Sequence, residues 1–233
     1  MESVSSDNLS AWEQAYTQFE TAEEEIAKFT ARLLALGADA WPREARVVEL
    51  FCGRGNGLGA LERLGFRHLA GIDLSPTLVA QYSGRADCVV GDCRALPYAD
   101  ESKDILVVQG GLHHLHKLPD DLERVLAEAR RVLRRDGRLV VVEPWLTPFL
   151  SFVHFVCALR PAHLLSRKVS ALATMIEHER ETYEQWLGQP DLILKAIRRS
   201  FDIATLRIRL GKLMLVGRPR RDSFESNPPN EGC

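Results

Sequence analysis

The spacing of hydrophobic residues along this chain changes character several times. Trp12, Tyr16, Phe19, Ile26, Phe29, Leu33 and Leu36 recur at helical spacing, one stripe of a 3.6-residue repeat. Thr21 followed by Glu24 has the form of a capping box, so the stripe is read as two helices, the second stopped at Gly37. From Arg46 the pattern turns to short, continuous apolar runs. RVVELF, HLAGIDL, DCVVGD, DILVVQ and RLVVVEP are read as strands buried on both faces. Between them lie helical stretches: LGALERLG ending at Gly65, a helix opened by Ser75-Pro76, and PDDLERVLAEARRVLRRDG closed by Gly137. FDIATLRIRLGKLMLVGRP reads as two strands with a tight turn at Gly211. That pair leaves no room for a crossover helix and is expected as an antiparallel hairpin.

Alternating strands and helices predict an α/β fold with a mostly parallel sheet. Residues 145–188 break the alternation. This segment holds the apolar stretch PWLTPFLSFVHFVCALRP and the polar helical run MIEHERETYEQWL. The apolar part is too short and too interrupted for a bilayer span. It is expected to cover the carboxyl ends of the strands, where open α/β sheets bind ligands. DLILKAIRR follows as a helix, and the last residues, 220–233, are expected to be a disordered tail.

Composition narrows the class. The 233 residues are 45% hydrophobic and 27% charged, as in an ordinary globular domain. With 30 basic and 32 acidic residues the formal charge is −2, which does not point to nucleic acid. The first 25 residues hold acids and no Lys or Arg, whereas Lys195–Arg221 is strongly basic; both are read as solvated faces. Cys52, Cys88, Cys93, Cys157 and Cys233 form no CxxC pair and are read as reduced thiols of a cytoplasmic protein, not a zinc site. The N-terminus lacks a basic-then-apolar export signal.

Candidate chemistry starts at VVELFCGRGNG, Val47–Gly57. Glycine inside a helix or strand costs about 0.5–1 kcal/mol relative to alanine, so Gly53, Gly55 and Gly57 imply a backbone that must stay bare. A strand, a glycine turn and a helix start together cradle an anionic group. Asp73, 20 residues after Gly53, ends the second strand, where an acid accepts hydrogen bonds from ribose hydroxyls. Asp92 ends the third strand in GDCRALPY and is suited to an amino group on an adenine ring. Glycines and two such acids describe a nucleoside with a charged tail.

The motifs VVELFCGRG, GIDLS, GDCRALPY, DILVVQGGLHHL and ARRVLRRDGRLVVVEP, in this order, resemble the class I S-adenosylmethionine-dependent methyltransferases, in particular their small-molecule branch. The resemblance spans roughly Val47–Pro144. It implies a Rossmann-like three-layer sandwich: a seven-stranded, mostly parallel sheet with an antiparallel edge hairpin, N-terminal helices and a helical insertion after the fifth strand. The organisation expected is an N-terminal helical lid (1–40), a cofactor domain (41–144 and 189–219), an acceptor cover (145–188) and a tail (220–233). S-adenosylmethionine is the implied cofactor, with S-adenosylhomocysteine as product. Glu49, Gly53 and Gly55 would lie near its methionine end. Asp73 and Leu74 would meet the ribose and adenine face, Asp92 the adenine amino group, and Gln109 and Gly110 the sulfonium. Cys52 and Cys93 fall within the same motifs and are placed at the cofactor too. Phe51 departs from the family pattern, which has glycine two residues after the acid; its ring must point away from the cofactor or narrow the pocket.

Methyl transfer to a hydroxyl needs a base, most often histidine. His113 and His114 are the candidates, with His116 nearby; without carboxylates in the same loop they are a poor metal site. Tyr16, Trp145, His154 and Tyr183 are candidates to line an apolar acceptor pocket, with Phe149, Phe152, Phe155 and Trp186 beside them. The acceptor is expected to be a small molecule, apolar or lipid-like, and PFLSFVHFV is a candidate for a membrane surface. Two rival readings stand. GNGLGA fits G-x-G-x-x-A of a nicotinamide-dependent oxidoreductase, and a non-catalytic regulatory protein could retain the cofactor site.

Overall fold

The computed structural model describes residues 21–158, 174, 177 and 180–220. The outer part of the expected N-terminal lid, including Tyr16, and the tail beyond Arg220 lie outside the described residues, as do His178 and Glu179.

Seven strands form one sheet: β1 Arg46–Leu50, β2 His68–Asp73, β3 Asp87–Val90, β4 Lys103–Gln109, β5 Leu133–Pro144, β6 Phe201–Arg209 and β7 Lys212–Pro219. Their order is β3-β2-β1-β4-β5-β7-β6. The first five are mutually parallel, and β7 runs antiparallel to both β5 and β6. The edge hairpin expected at Gly211 is present, with the glycine at φ 76°. The strand order reverses between β1 and β4, so their carboxyl ends open the crevice where such sheets bind ligands.

Alternate residues of the central strands feed two apolar layers. Val48, Leu50, Leu106, Val108, Leu139 and Val141 face one side, where α4 (Asp120–Val132), α6 (Arg180–Leu187) and α7 (Pro190–Ser200) supply Leu122, Leu126, Trp186 and Ile193. Val47, Ile105, Val107, Val140 and Val142 face the other, against Leu33 of α1 (Ala22–Ala35) and Leu58 and Leu61 of α2 (Asn56–Arg63). Each large side chain so buried contributes about 1.5–3 kcal/mol relative to exposure. The short helix α3 (Pro76–Gln81) follows β2, and α5 (Pro148–Ala158) follows β5.

Local signals placed most boundaries. Thr21 and Glu24 close a reciprocal capping box on α1, and Ser75 caps α3 with Pro76 in its first turn. Gly37 and Gly65 take positive φ just past α1 and α2. One boundary differs. The helix expected to run to Gly137 ends at Val132, because Leu133 already pairs with Lys103 as β5 begins. Gly137 is instead needed within the strand. A Cβ there would stand 2.9 Å from the Arg134 carbonyl and 3.1 Å from that of Asp104.

Candidate active site

Glu49 is the one acid in the apolar run of β1, and it is 3% exposed. It shares a face with Val47, so it points beneath the start of α2. A Cβ on Gly57 would lie 1.7 Å from Glu49 Oε1, which explains the third glycine: the carboxylate occupies that space. Burial is the main influence on this acid and pushes its pKa up to about 8. The Leu58 N–H and Gln109 oppose the rise, while the charges of Glu25 and Asp73 add to it. The Gln109 amide approaches Glu49 without completing a hydrogen bond. Among the described residues, Glu49 Oε2 and both polar atoms of Gln109 are buried with no hydrogen-bond partner. Buried polar atoms are normally satisfied, so this corner can take the polar groups of a ligand.

The glycine turn continues the site. Gly53 and Gly55 have φ 51° and 82°, values that L side chains rarely adopt. Asp73 fixes the turn: its Oδ2 accepts from the Gly53 N–H and its Oδ1 from the Ser75 N–H, both at 2.8 Å. Asp92 is gripped by the Arg94 guanidinium, with Nε 3.0 Å from each carboxylate oxygen. The Arg94 hydrogen bond holds the Asp92 carboxyl below its ordinary range. Arg94 also reaches Asp121 at 2.9 Å, tying this loop to α4. Leu74 is 60% exposed beside Asp73, open to a flat ring.

Cys52 and Cys93 sit at the expected positions but turn their thiols into the two apolar layers. Burial pushes the Cys93 thiol up to about 12, so only their backbone is suited to a ligand. Phe51 also resolves simply. It adopts φ 56°, the left-handed geometry that explains why related loops carry glycine, at a strain of about 1–3 kcal/mol for a bulky residue. Its ring packs against Gly111, where an added Cβ would meet Phe51 Cβ and Cγ at 2.4 Å. The missing glycine is thus matched by one sixty residues away, Gly111. Asn56 and Arg54, from the turn, contact Glu25 of α1, which docks that helix beside the crevice.

A second centre lies at the ends of β4 and β5. After Gly110, at φ 77°, residues Leu112–His114 make a 3-10 turn. Glu143, fully buried in β5, accepts from the Gly111 and Leu112 N–H groups at 2.8 and 2.7 Å. Its Oε2 lies 2.8 Å from His113 Nδ1. Burial opposes its charge, but the hydrogen bond and charge of His113 and the two backbone donors outweigh it, so its carboxyl is held below the ordinary range. His113 packs at 4.1 Å from the His114 ring and edge-on to Tyr183 of α6, at 5.8 Å. The Tyr183 hydroxyl in turn meets His154 Nε2 of α5 at 3.2 Å. The structure therefore joins His113, His114, His154 and Tyr183. It takes Trp145 into the core, edge-on to Trp186 at 6.5 Å, with the Trp186 indole N–H donating to the Pro144 carbonyl. Glu143, Glu25, Arg54 and Asn56 were missed from the sequence. Glu143 had a signal: like Glu49, it is a single acid closing an apolar strand.

Comparison with known proteins gives the following likenesses. Residues 48–141 match the family described as "Methyltransferase domain". A ubiquinone/menaquinone biosynthesis C-methyltransferase of Dinoroseobacter shibae is 46% identical over 59 residues, 25% of this chain and 22% of that protein. A demethylmenaquinone methyltransferase of Thermotoga maritima is 34% identical over 128 residues, 48% of this chain and 54% of that one. The chain thus spans between about a fifth and about half of these relatives' length. Among solved structures, a Pyrococcus horikoshii protein superposes with TM-score 0.63 at 16% identity, covering 88% of this chain and 96% of its own. A TehB-like methyltransferase of Corynebacterium glutamicum gives 0.54 at 20% identity, over 82% and 88%. At these identities the structural likeness shows the fold.

Proposed function

We propose that this protein binds S-adenosylmethionine at the β1–β4 crevice and transfers its methyl group to a small-molecule acceptor beneath α5 and α6. The observation that carries the reading is the buried, unpartnered pair Glu49 and Gln109 beside a turn of bare glycines. In this reading Glu49 receives the cofactor's ammonium, Gly53 and Gly55 pass along its methionine end, and Asp73 and Leu74 meet the ribose and adenine. Asp92 and the Cys93 backbone face the adenine edge, and Gln109 and Gly110 lie near the sulfonium. Residues 41–144 and 189–219 form the cofactor domain, 145–188 the acceptor cover and 1–40 the lid.

When bound, S-adenosylmethionine supplies an electrophilic methyl group; this chain's residues align the acceptor, exclude water and move a proton. With Nδ1–H donated to Glu143, His113 Nε2 is the nitrogen that takes the acceptor's proton. The ionised Glu143 fixes that tautomer and opposes the imidazolium charge, as a buried acid does for a catalytic histidine elsewhere. Tyr183 and His154 flank the acceptor.

The named relatives act in quinone biosynthesis, which favours a hydroxylated aromatic ring as acceptor. The test is transfer of radiolabelled methyl to a panel of benzoquinols and naphthoquinols. Label should enter an extractable product, and His113→Ala should reduce its rate about 100-fold or more. Transfer to none of the panel with normal cofactor binding would overturn the acceptor class. Unchanged turnover in His113→Ala would remove the base.

A further inference from the structure

Helix α5, Pro148–Ala158, contains no Asp, Glu, Lys or Arg, and His154 is its one basic side chain. Its outer face carries Phe149, Phe152 and Phe155, which are 49%, 63% and 62% exposed, and Leu146 just before it is 52% exposed. Three aromatic rings about half exposed present roughly 350 Å² of apolar surface. The largest apolar patch on a typical monomer is of this order, about 300–600 Å², and is often a binding surface. The area of the three rings is less than half of the roughly 800 Å² that each partner buries in a stable protein complex, so a second copy of this chain fits it poorly.

The neighbouring surface carries basic residues. The Gly211 turn packs on α5: a Cβ there would touch Leu150 at 3.2 Å, and the Gly211 carbonyl accepts from the Trp145 N–H. The hairpin strand leading into that turn is the edge of the sheet. Leu206 and Ile208 pair with Leu215 and Leu213, so they share the face on which Trp186 and Leu150 lie. Leu206, Ile208 and Leu210 are all exposed. Arg207 and Arg209 alternate with them and so leave the edge strand on its other face, also exposed, and neither forms an ion pair among the described residues. An uncharged aromatic surface beside a sheet edge that projects guanidinium groups from its other face supplies the two parts that a bilayer interface asks for, acyl boundary and anionic headgroup.

We propose that α5 and the β6–β7 tip dock this protein on an anionic lipid bilayer, with the three phenylalanines entering the acyl boundary and Arg207 and Arg209 meeting phosphate headgroups. The opposite side of the same helix carries His154, bonded to Tyr183, which packs on His113. A docked helix therefore separates the bilayer from the candidate base by its own width. An acceptor dissolved in the membrane would reach the base without crossing water. This last step rests on the acceptor reading above; the docking does not.

The test is co-sedimentation of the full chain with phosphatidylcholine vesicles and with vesicles containing about one-third phosphatidylglycerol, at low and high salt. Binding to the anionic vesicles is expected, stronger at low salt. Phe152→Asp with Phe155→Asp should weaken it about tenfold or more. Arg207→Glu with Arg209→Glu should abolish the preference for anionic vesicles. S-adenosylhomocysteine affinity, unchanged in both variants, verifies that they fold. Wild-type protein remaining in the supernatant, or both variants sedimenting like wild type, would overturn the docking. So would a wild-type dimer in the ultracentrifuge that the Phe152/Phe155 variant abolishes while vesicle binding stays absent. Vesicle binding without cofactor binding would leave the docking standing and remove the methyltransferase reading.

Discussion

Glu49→Gln isolates the part of the site on which the proposed cofactor binding turns. The folded-state pKa of Glu49 lies at about 8, raised mainly by burial, so at pH 7 it is mostly protonated before ligand arrives. A cationic ammonium requires it ionised. Below the pKa, that ionisation costs about 1 kcal/mol per pH unit. A buried ion pair broken at one end costs ~3 kcal/mol or more. The net advantage of Glu over Gln at pH 7 is therefore ~2 kcal/mol, on the order of tenfold or more in Kd by the usual conversion. Near pH 8 the ionisation cost is small and the advantage approaches a hundredfold. The ligand's α-amino group, with an ordinary pKa near 8, is half deprotonated there and loses the rest of its proton at higher pH. Wild-type affinity for S-adenosylhomocysteine should thus rise from pH 6 to a maximum near pH 8, with proton release on binding below it. Calorimetry in buffers of different ionisation enthalpy reads both quantities. Stability should move the other way. A raised acid pKa stabilises the fold fully below the ordinary value of 4.5, and that contribution is lost as pH rises through 8. Glu49→Gln should therefore hold its Tm at pH 8–9 better than wild type while binding cofactor more weakly. Equal affinity and an equal pH profile in the two proteins would refute the assignment of Glu49 to the ammonium.

Three further substitutions probe separate parts of the site. Glu143→Gln removes the charge that positions His113 and alters the bonds to Gly111 and Leu112; turnover should fall about 100-fold or more and the acidic limb of the pH–rate profile should shift, with Kd for cofactor little changed. Gly111→Ala forces a Cβ onto Phe51 and should cost about 1–3 kcal/mol of stability by denaturant titration; adding Phe51→Gly should restore part of it, and a strictly additive double variant would deny that the two residues form a pair. Asp73→Ala removes the acceptor that holds the Gly53 and Ser75 N–H groups and should weaken cofactor binding by about 1–3 kcal/mol, whereas unchanged affinity would dismiss the ribose role.

The sheet was legible because its signals are local. Continuous apolar runs, Ser75-Pro76, the Thr21–Glu24 box and the turn glycines each act within a few residues. The end of α4 was misread because Gly137 answers to the backbone of Asp104, a partner more than thirty positions away. Phe51 could not be understood alone either, since the glycine that accommodates its ring is Gly111. Glu49 was found through its motif, yet Glu143, an acid in the same setting, was passed over because no glycine loop follows it. Its role appears only when β5 lies beside β4 and brings the 3-10 turn against it. Trp145 shows the opposite limit: an aromatic next to an expected pocket is as readily core, and only Trp186 and the Pro144 carbonyl decide which.

The central claim is the cofactor, and its most direct test is calorimetric titration of the protein with S-adenosylmethionine, S-adenosylhomocysteine and NAD in parallel at pH 8. Micromolar binding of the first two and none of NAD is the predicted result. Binding of NAD alone would contradict it.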